Sequence, residues 1–314
     1  MPNNDRITES LGSIYHCFKY YDNLPADLIT ALKINLSHIA ADSWEERFDW
    51  GGVYVNGKIA KNNQKLPCPC RIEYYEPKIS IEYQKNQFPK FNSNWIIYED
   101  DFLIICFKPY NLPSMISKEQ IKINLYNYLK DYSNCDIHLP SRLDFSTAGL
   151  ILISKNEKSH PLLQKMFESK KIKKTYILET PYLPEWDEFE LISRIDKDLA
   201  HPILRKVVTT GGKEAITLFK KIRESKFIDC ENNPIKTCLL EAQPKTGRTH
   251  QIRVHTAYLG KPIIGDNFYG GLASDCLHLV SHGIEFKHPL TNELISYTIP
   301  SSLLPYWLCN FGII

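Results

Sequence analysis

The apolar residues of this chain come in short runs broken by polar turns, and that constrains the fold more than any other feature. The longest runs, such as Phe102 to Phe107, are six residues, far short of the ~20 that a membrane-spanning helix needs. Trp95-Ile96-Ile97-Tyr98 and Phe102-Leu103-Ile104-Ile105-Cys106 bracket the acidic stretch Glu99-Asp100-Asp101, which predicts a β-hairpin. Leu150–Ile153, Thr175–Leu178 and Thr237–Ala242 predict further strands, and Asn124–Asp131 and His160–Glu168 predict helices. Strands with interspersed helices, lacking a regular βαβ alternation, imply an α+β domain on a mixed, mainly antiparallel sheet.

A chain of 314 residues exceeds one domain of roughly 100–200 residues. The polar, proline-bearing stretch Gln84 to Ser93 predicts a linker, with one domain over 1–83 and a second over 94–314. In the first, Leu28, Leu32, Leu36 and Ile39 recur with a period of about 3.6 and predict a helix over Pro25 to Ile39. A second helix is expected over Ser43–Asp49, with Ser43 and Glu46 as a capping box. Val53-Tyr54-Val55, Asn56-Gly57 and Lys58-Ile59-Ala60 form a strong hairpin signal. Arg71–Tyr75 alternates like another strand.

The nine cysteines have no framework spacing, and Cys68-Pro69-Cys70 lacks the second pair a zinc site needs. Reduced thiols, no metal and, with an N-terminus lacking the pattern of a secretory signal, a cytoplasmic location are the expectations. A net charge of +2 permits nucleic-acid binding without demanding it. The lysines from Lys165 to Lys174 form either a solvated helix end or a phosphate-facing ridge.

Three segments carry the chemistry. Asp144 lies in Ser141-Arg142-Leu143-Asp144-Phe145-Ser146-Thr147-Ala148-Gly149, a loop feeding an apolar strand; loops on rigid scaffolds are the usual carriers of reactive groups, although Asp is also a common turn residue. The second runs from Lys245 to Gly260, with Thr249 as expected N-cap and Gly260 as helix stop, and carries Arg248, His250, Arg253 and His255. Cations so placed meet solvent, phosphates or a carboxylate. The third, Gly265-Asp266-Asn267-Phe268-Tyr269-Gly270-Gly271, has the composition of a turn.

Together these segments resemble the RluA family of RNA pseudouridine synthases. That family carries H-R-L-D-x-x-T-S-G-L-L, K-x-Y and G-R-T-H-Q-I-R-V-H followed by G-x-P-I-x-G-D-x-x-Y-G; here the first reads S-R-L-D-F-S-T-A-G-L-I from Ser141, the second Lys174-Thr175-Tyr176, and the third starts at Gly247 and continues to Gly270. Tyr98-Glu99-Asp100-Asp101 with Phe107-Lys108-Pro109, and Phe286-Lys287-His288-Pro289, resemble the family's opening and closing motifs. The chain departs at Phe107 (family Asn), Ser141 (His), Ala148 (Ser) and Leu279-Val280-Ser281 (L-H-A), which bears on RNA contacts more than on activity.

The resemblance implies a pseudouridine synthase fold and isomerisation of uridine to pseudouridine in ribosomal RNA or tRNA, by a monomer, without a cofactor. It implies that Asp144 is the catalytic aspartate, Arg253 its ion-pair partner, Tyr176 the aromatic that stacks on the target uracil, and Arg142 a residue that fills the space of the flipped nucleotide. Arg248, Lys174 and His250 are then expected as RNA contacts. The first domain resembles a small α/β S4-like RNA-binding module, with Asn56 and Lys58 as RNA contacts. Two rivals are an RNA-binding protein without catalysis, acting in ribosome or tRNA maturation, and a hydrolase of small substrates. The hydrolase would want a second carboxylate, for which Asp266 is the motif candidate.

Overall fold

The computed structural model describes residues 7–10, 13–50, 52–77, 88–116, 123–198, 203–229 and 231–309. The chain divides into two compact units, Met1–Phe88 with Ile116–Asn124, and Pro89–Met115 with Leu125–Ile314. The first four residues of the predicted linker, 84–87, lie outside the described residues, and the division falls within it, after Phe88.

The first unit has strands β1 (Ile7–Ser10), β2 (Ser13–Tyr20), β3 (Val53–Val55), β4 (Lys58–Ile59) and β5 (Cys70–Pro77) in the order β1-β2-β5-β3-β4, with helices α1 (Leu28–Asn35) and α2 (Trp44–Trp50). Phe18, Leu28, Leu32, Trp44, Phe48, Val53 and Ile72 belong to one core. Helix α1 is shorter than its apolar spacing predicts. It starts where the Asp27 carboxylate accepts from Thr30 N at 2.8 Å, and ends where Leu36 N donates to Leu32 O. Before α2, the Ser43 hydroxyl donates to Ala40 O at 2.8 Å and accepts from Arg47 Nε at 3.2 Å. The Asn56-Gly57 turn forms as predicted, with both residues in the left-handed region at φ 51° and 79°.

The second unit is one ten-stranded sheet. Its strands are β6 (Ile96–Glu99), β7 (Leu103–Lys108), β8 (Ala148–Ser154), β9 (Lys173–Thr180), β10 (Glu188–Lys197), β11 (Arg205–Val207), β12 (Lys213–Ile228), β13 (Pro234–Pro244), β14 (Leu279–Lys287) and β15 (Leu294–Thr298). The order is β11-β10-β12-β13-β9-β14-β8-β7-β6, with β15 also on β14; β14 and β8 are parallel and every other pair is antiparallel. Helices α3 (Leu125–Ser133), α4 (Ser159–Glu168), α5 (Gln251–Tyr258) and α6 (Tyr306–Cys309) complete this unit. This is the expected α+β, mainly antiparallel architecture. Strands β7 and β8 are buried along their whole length, which is why they read as continuous apolar runs.

The parallel contact fixes the strand that follows Asp144. Ser281 of β14 pairs with Gly149 of β8 on one side and with Tyr176 of β9 on the other. Gly149 has φ 119°, and a Cβ there would lie 2.3 Å from the Ser281 carbonyl oxygen. Only glycine lets β8 close on β14 here.

Candidate active site

Asp144 projects from the loop that enters β8, and the loop is pinned on both sides of it. The Ser114 hydroxyl donates to Leu143 O at 2.7 Å and accepts from Leu143 N at 3.2 Å. Phe145 O accepts from Asn111 N at 3.0 Å and from Lys108 Nζ at 3.3 Å. Lys108 is fully buried and also donates to Pro109 O and Leu112 O, each at 2.9 Å. Burial takes its ammonium down to about 7 from an ordinary 10.5, against the pull of the nearby Asp144 charge. With three carbonyls as acceptors, the ammonium is a hub under the loop.

Arg253, on the first turn of α5, is buried and shared between two carboxylates. Its Nε and Nη2 donate to Asp266 Oδ2 and Oδ1 at 2.8 and 2.7 Å, while Nη1 lies 3.5 Å from Asp144 Oδ2. The ion pair that the resemblance implies is therefore the longer of two. Burial opposes the guanidinium charge, but the bonds and charge of Asp266, followed by Asp144, outweigh it and raise the Arg253 pKa above its ordinary value. Asp266 sits in the expected turn and its Oδ1 also accepts from Phe268 N at 3.2 Å, yet its side chain is fully buried. The reading of Asp266 as a turn residue alone is corrected by this pair. Both its oxygens being engaged, it is poorly placed as the free second carboxylate of a hydrolase.

Helix α5 starts one residue later than a Thr249 cap would start it. His250 takes a left-handed conformation, φ 57°, with no side-chain cap. Gln251 holds the junction instead: its Oε1 accepts from Thr246 Oγ1 at 2.8 Å and Arg248 N at 3.0 Å, and its Nε2 donates to Ile216 O and Thr217 Oγ1 on β12. This geometry turns His250 inward. Its Nδ1 is 2.9 Å from Tyr269 Oη and its Nε2 is 3.9 Å from Asp144 Oδ2. Burial lowers the His250 pKa below 6.5.

Tyr176 sits on β9 between Ala242 of β13 and Ser281 of β14. Burial pushes its hydroxyl up to about 12, with a contribution from the Asp144 charge. Lys174 Nζ donates to Ser141 Oγ at 2.8 Å and lies 4.8 Å from the Phe167 ring; burial lowers it to about 8. Arg142 is exposed. Arg248 Nε donates to Glu214 O at 2.7 Å, bracing the α5 junction against β12. In the other unit, the Asn56 side chain accepts from Arg71 N at 2.8 Å and donates to Pro69 O at 3.2 Å, so its polar atoms serve the turn, while Lys58 is exposed.

Asp144, Arg253 and His250 thus converge, with Tyr176 close enough to feel the Asp144 charge. Lys108 and Tyr269 join them without having been singled out by local pattern, and Asp266, raised only as the second carboxylate of a hydrolase, joins them as the partner of Arg253. Their signal was the motifs themselves, since each lies in a segment that carries the family resemblance.

Comparison with known proteins agrees with this fold. The family described as RNA pseudouridylate synthase matches residues 102–258. A ribosomal large subunit pseudouridine synthase C of Rickettsia felis is 36% identical over 221 residues, covering 69% of this chain and 67% of the relative. A dual-specificity RNA pseudouridine synthase RluA of Vibrio parahaemolyticus is 31% identical over 215 residues, covering 67% and 84%. The solved human RNA pseudouridylate synthase domain containing 1 shares the fold, with a TM-score of 0.56 at 19% identity over 69% of this chain and 88% of that one. The chain belongs to the RluA family of RNA pseudouridine synthases, isomerases that act on uridine in RNA.

Proposed function

We propose that Asp144 is the catalytic carboxylate and that it acts on a uridine flipped out of structured RNA. Isomerisation breaks the N1–C1′ bond, turns the uracil, and joins C5 to C1′; C5 loses a proton and N1 gains one. Atoms balance without water or cofactor. A stacked base hides these atoms, so flipping, at a cost of a few kcal/mol, precedes chemistry. Stacking on Tyr176 returns about 1–3 kcal/mol. Asp144 then attacks C1′ or takes a proton from the ribose while the glycosidic bond breaks. Arg253 supplies the counter-charge.

The observation that carries this reading is the placing of Asp144: a partly exposed carboxylate, 28% accessible, 3.5 Å from a buried guanidinium, on a loop pinned at the carbonyls of both neighbours. Arg142 is proposed to fill the space left by the flipped nucleotide, Lys174 and Arg248 to approach phosphates, and the first unit to bind RNA through the exposed Lys58 side of its hairpin.

Large-subunit ribosomal RNA or tRNA is the proposed substrate. The Rickettsia relative's name points to the former, and the Vibrio relative's to dual specificity. Pseudouridine maps by chemical adduct formation, on total RNA from cells with and without the protein, identify the target. Purified wild type and Asp144→Asn are then compared on that RNA. Wild type forms pseudouridine and the variant does not; full activity in the variant refutes the role of Asp144.

A further inference from the structure

Arg253 and His250 make their closest approach to Asp144 at the same oxygen. Arg253 Nη1 lies 3.5 Å from Oδ2, and His250 Nε2 lies 3.9 Å from that same Oδ2. A carboxylate backed at one oxygen by two nitrogen donors presents the other oxygen forward.

The hydrogen bonds around Tyr269 fit one tautomer of His250. Arg205 N donates to Tyr269 Oη at 3.0 Å, which takes one lone pair of the phenol. Assigning the phenol's single hydrogen to His250 Nδ1, 2.9 Å away, completes that pattern. Nδ1 is then bare, and the ring proton of neutral imidazole lies on Nε2, the nitrogen that faces Asp144. The ring has little freedom to turn away. Its side chain is 8% accessible, it stacks on Phe268 with centroids 6.2 Å apart and planes at 28°, and it meets Tyr269 edge-on at 5.7 Å. Its backbone is left-handed at φ 57°, a conformation that costs a histidine free energy and that persists at sites where the surroundings over-determine it.

We propose that His250 is a positioning residue of the isomerisation rather than an RNA-phosphate contact: with its tautomer set by Tyr269, it donates from Nε2 to Oδ2 of Asp144 and so turns Oδ1 toward the ribose of the target uridine. This rests on the reading of Asp144 as the catalytic carboxylate. The present 3.9 Å separation is longer than a hydrogen bond, and contacts of this kind tighten when substrate fills a site and expels water. The desolvation that lowers the His250 pKa keeps the ring neutral near pH 7, the form in which the tautomer argument holds.

Asparagine and glutamine separate the two ends of the ring. The amide nitrogen of His250→Asn falls near Nδ1 and does not reach Asp144; that of His250→Gln falls near Nε2 and does. Single-turnover and steady-state kinetics on the mapped RNA are expected to show a kcat about 10- to 100-fold lower for His250→Asn, the loss of one charge-assisted hydrogen bond, with KM changed by less than about threefold. His250→Gln recovers about tenfold of that loss. Tyr269→Phe lowers kcat about three- to tenfold when His250 is present and has a smaller effect on the His250→Gln background, because the glutamine donor no longer depends on a tautomer. A loss confined to KM assigns His250 to RNA binding and overturns the proposal. So does equal loss in the Asn and Gln variants with equally lowered melting temperatures, which marks a structural role. Asp144→Asn runs alongside. If it is fully active, the reading of Asp144 falls and this inference falls with it; if it is inactive while His250→Asn keeps wild-type kcat, this inference alone is overturned.

Discussion

Replacing Asp266 with asparagine removes one charge from a bidentate pair sealed from solvent. The Arg253 side chain is 4% accessible and that of Asp266 0%, with bonds of 2.8 and 2.7 Å. Breaking a buried pair by removing one partner costs about 3–5 kcal/mol, because the remaining charge stays buried without its counter-ion. Asparagine keeps one carbonyl acceptor, and Asp144 stands 3.5 Å from the freed guanidinium, so the lower end, about 3 kcal/mol, is the expected cost. For a folded body of about 200 residues, each kcal/mol moves the melting temperature by about 2–4 °C, which gives a drop of about 6–12 °C. The contrast is Asp144→Asn. That carboxylate is 28% accessible and its contact is longer; such a pair contributes about 1 kcal/mol or less, and the melting temperature should move by under about 4 °C. Differential scanning calorimetry on the two variants therefore separates two carboxylates that share one arginine: stability goes with Asp266, turnover with Asp144. A melting temperature within about 2 °C of wild type for Asp266→Asn would refute the reasoning from burial.

Three further outcomes follow from the same structure. Lys108→Met keeps the volume of the side chain but leaves Pro109 O and Leu112 O without the donor they share, while Phe145 O keeps Asn111 N; amide hydrogen exchange around Asp144 should quicken and kcat fall at least about tenfold as the loop loosens. The native Lys108 pKa, about 7, lies below the ordinary 10.5, so the unfolded chain binds the extra proton between them; this group adds stability as pH rises from about 7 to about 10.5, and urea titrations of the Met variant should lack that increment. Buried His255 is held at about 4 instead of 6.5, so acid favours the unfolded chain across that window by about 3 kcal/mol, and His255→Gln should unfold less steeply between pH 6.5 and 4 than wild type. Tyr176→Leu loses the ring and should lower kcat/KM about 5- to 150-fold, Tyr176→Phe should recover most of it, and wild type should show no limb from the Tyr176 hydroxyl below pH 9, since that group titrates at about 12.

What could be read along the chain and what could not divides on how far apart the responsible residues lie. The β6–β7 hairpin was legible because its turn is local: Asp100 Oδ1 accepts from Phe102 N and Leu103 N at 2.7 and 2.8 Å, within three residues. Strands β7 and β8 were legible because both faces are buried. Strands β10 and β12 were not singled out, although β12 alternates at Ala215, Thr217 and Phe219, all buried; a polar Thr217 on the inward face and apolar Ile216 and Leu218 on the other mask the alternation. Helix α5 was legible as a helix but not at its start, since the side chain that fixes the start, Gln251, bonds across to Ile216 and Thr217 more than thirty residues away in sequence.

The site shows the same division more sharply. Asp144 and Arg253 could be paired by family resemblance, but the stronger bond of Arg253 goes to Asp266, in a segment whose composition is that of any turn. A turn and a buried ion pair are compatible because the turn draws mainly on the backbone: Gly265 N and Asp266 N make backbone bonds to Leu272 O and Ile263 O, while both carboxylate oxygens accept from the guanidinium and Oδ1 has room for Phe268 N as well. Local composition reports only the first use. The second arises when α5 and the turn that follows it are folded back on each other, and it has a mechanistic consequence. An arginine held by Asp266 at two nitrogens has one edge left for Asp144, so it supplies charge without forming the tight fork that would immobilise and mask the reactive carboxylate. The structural carboxylate is what leaves the proposed catalytic one, Asp144, available.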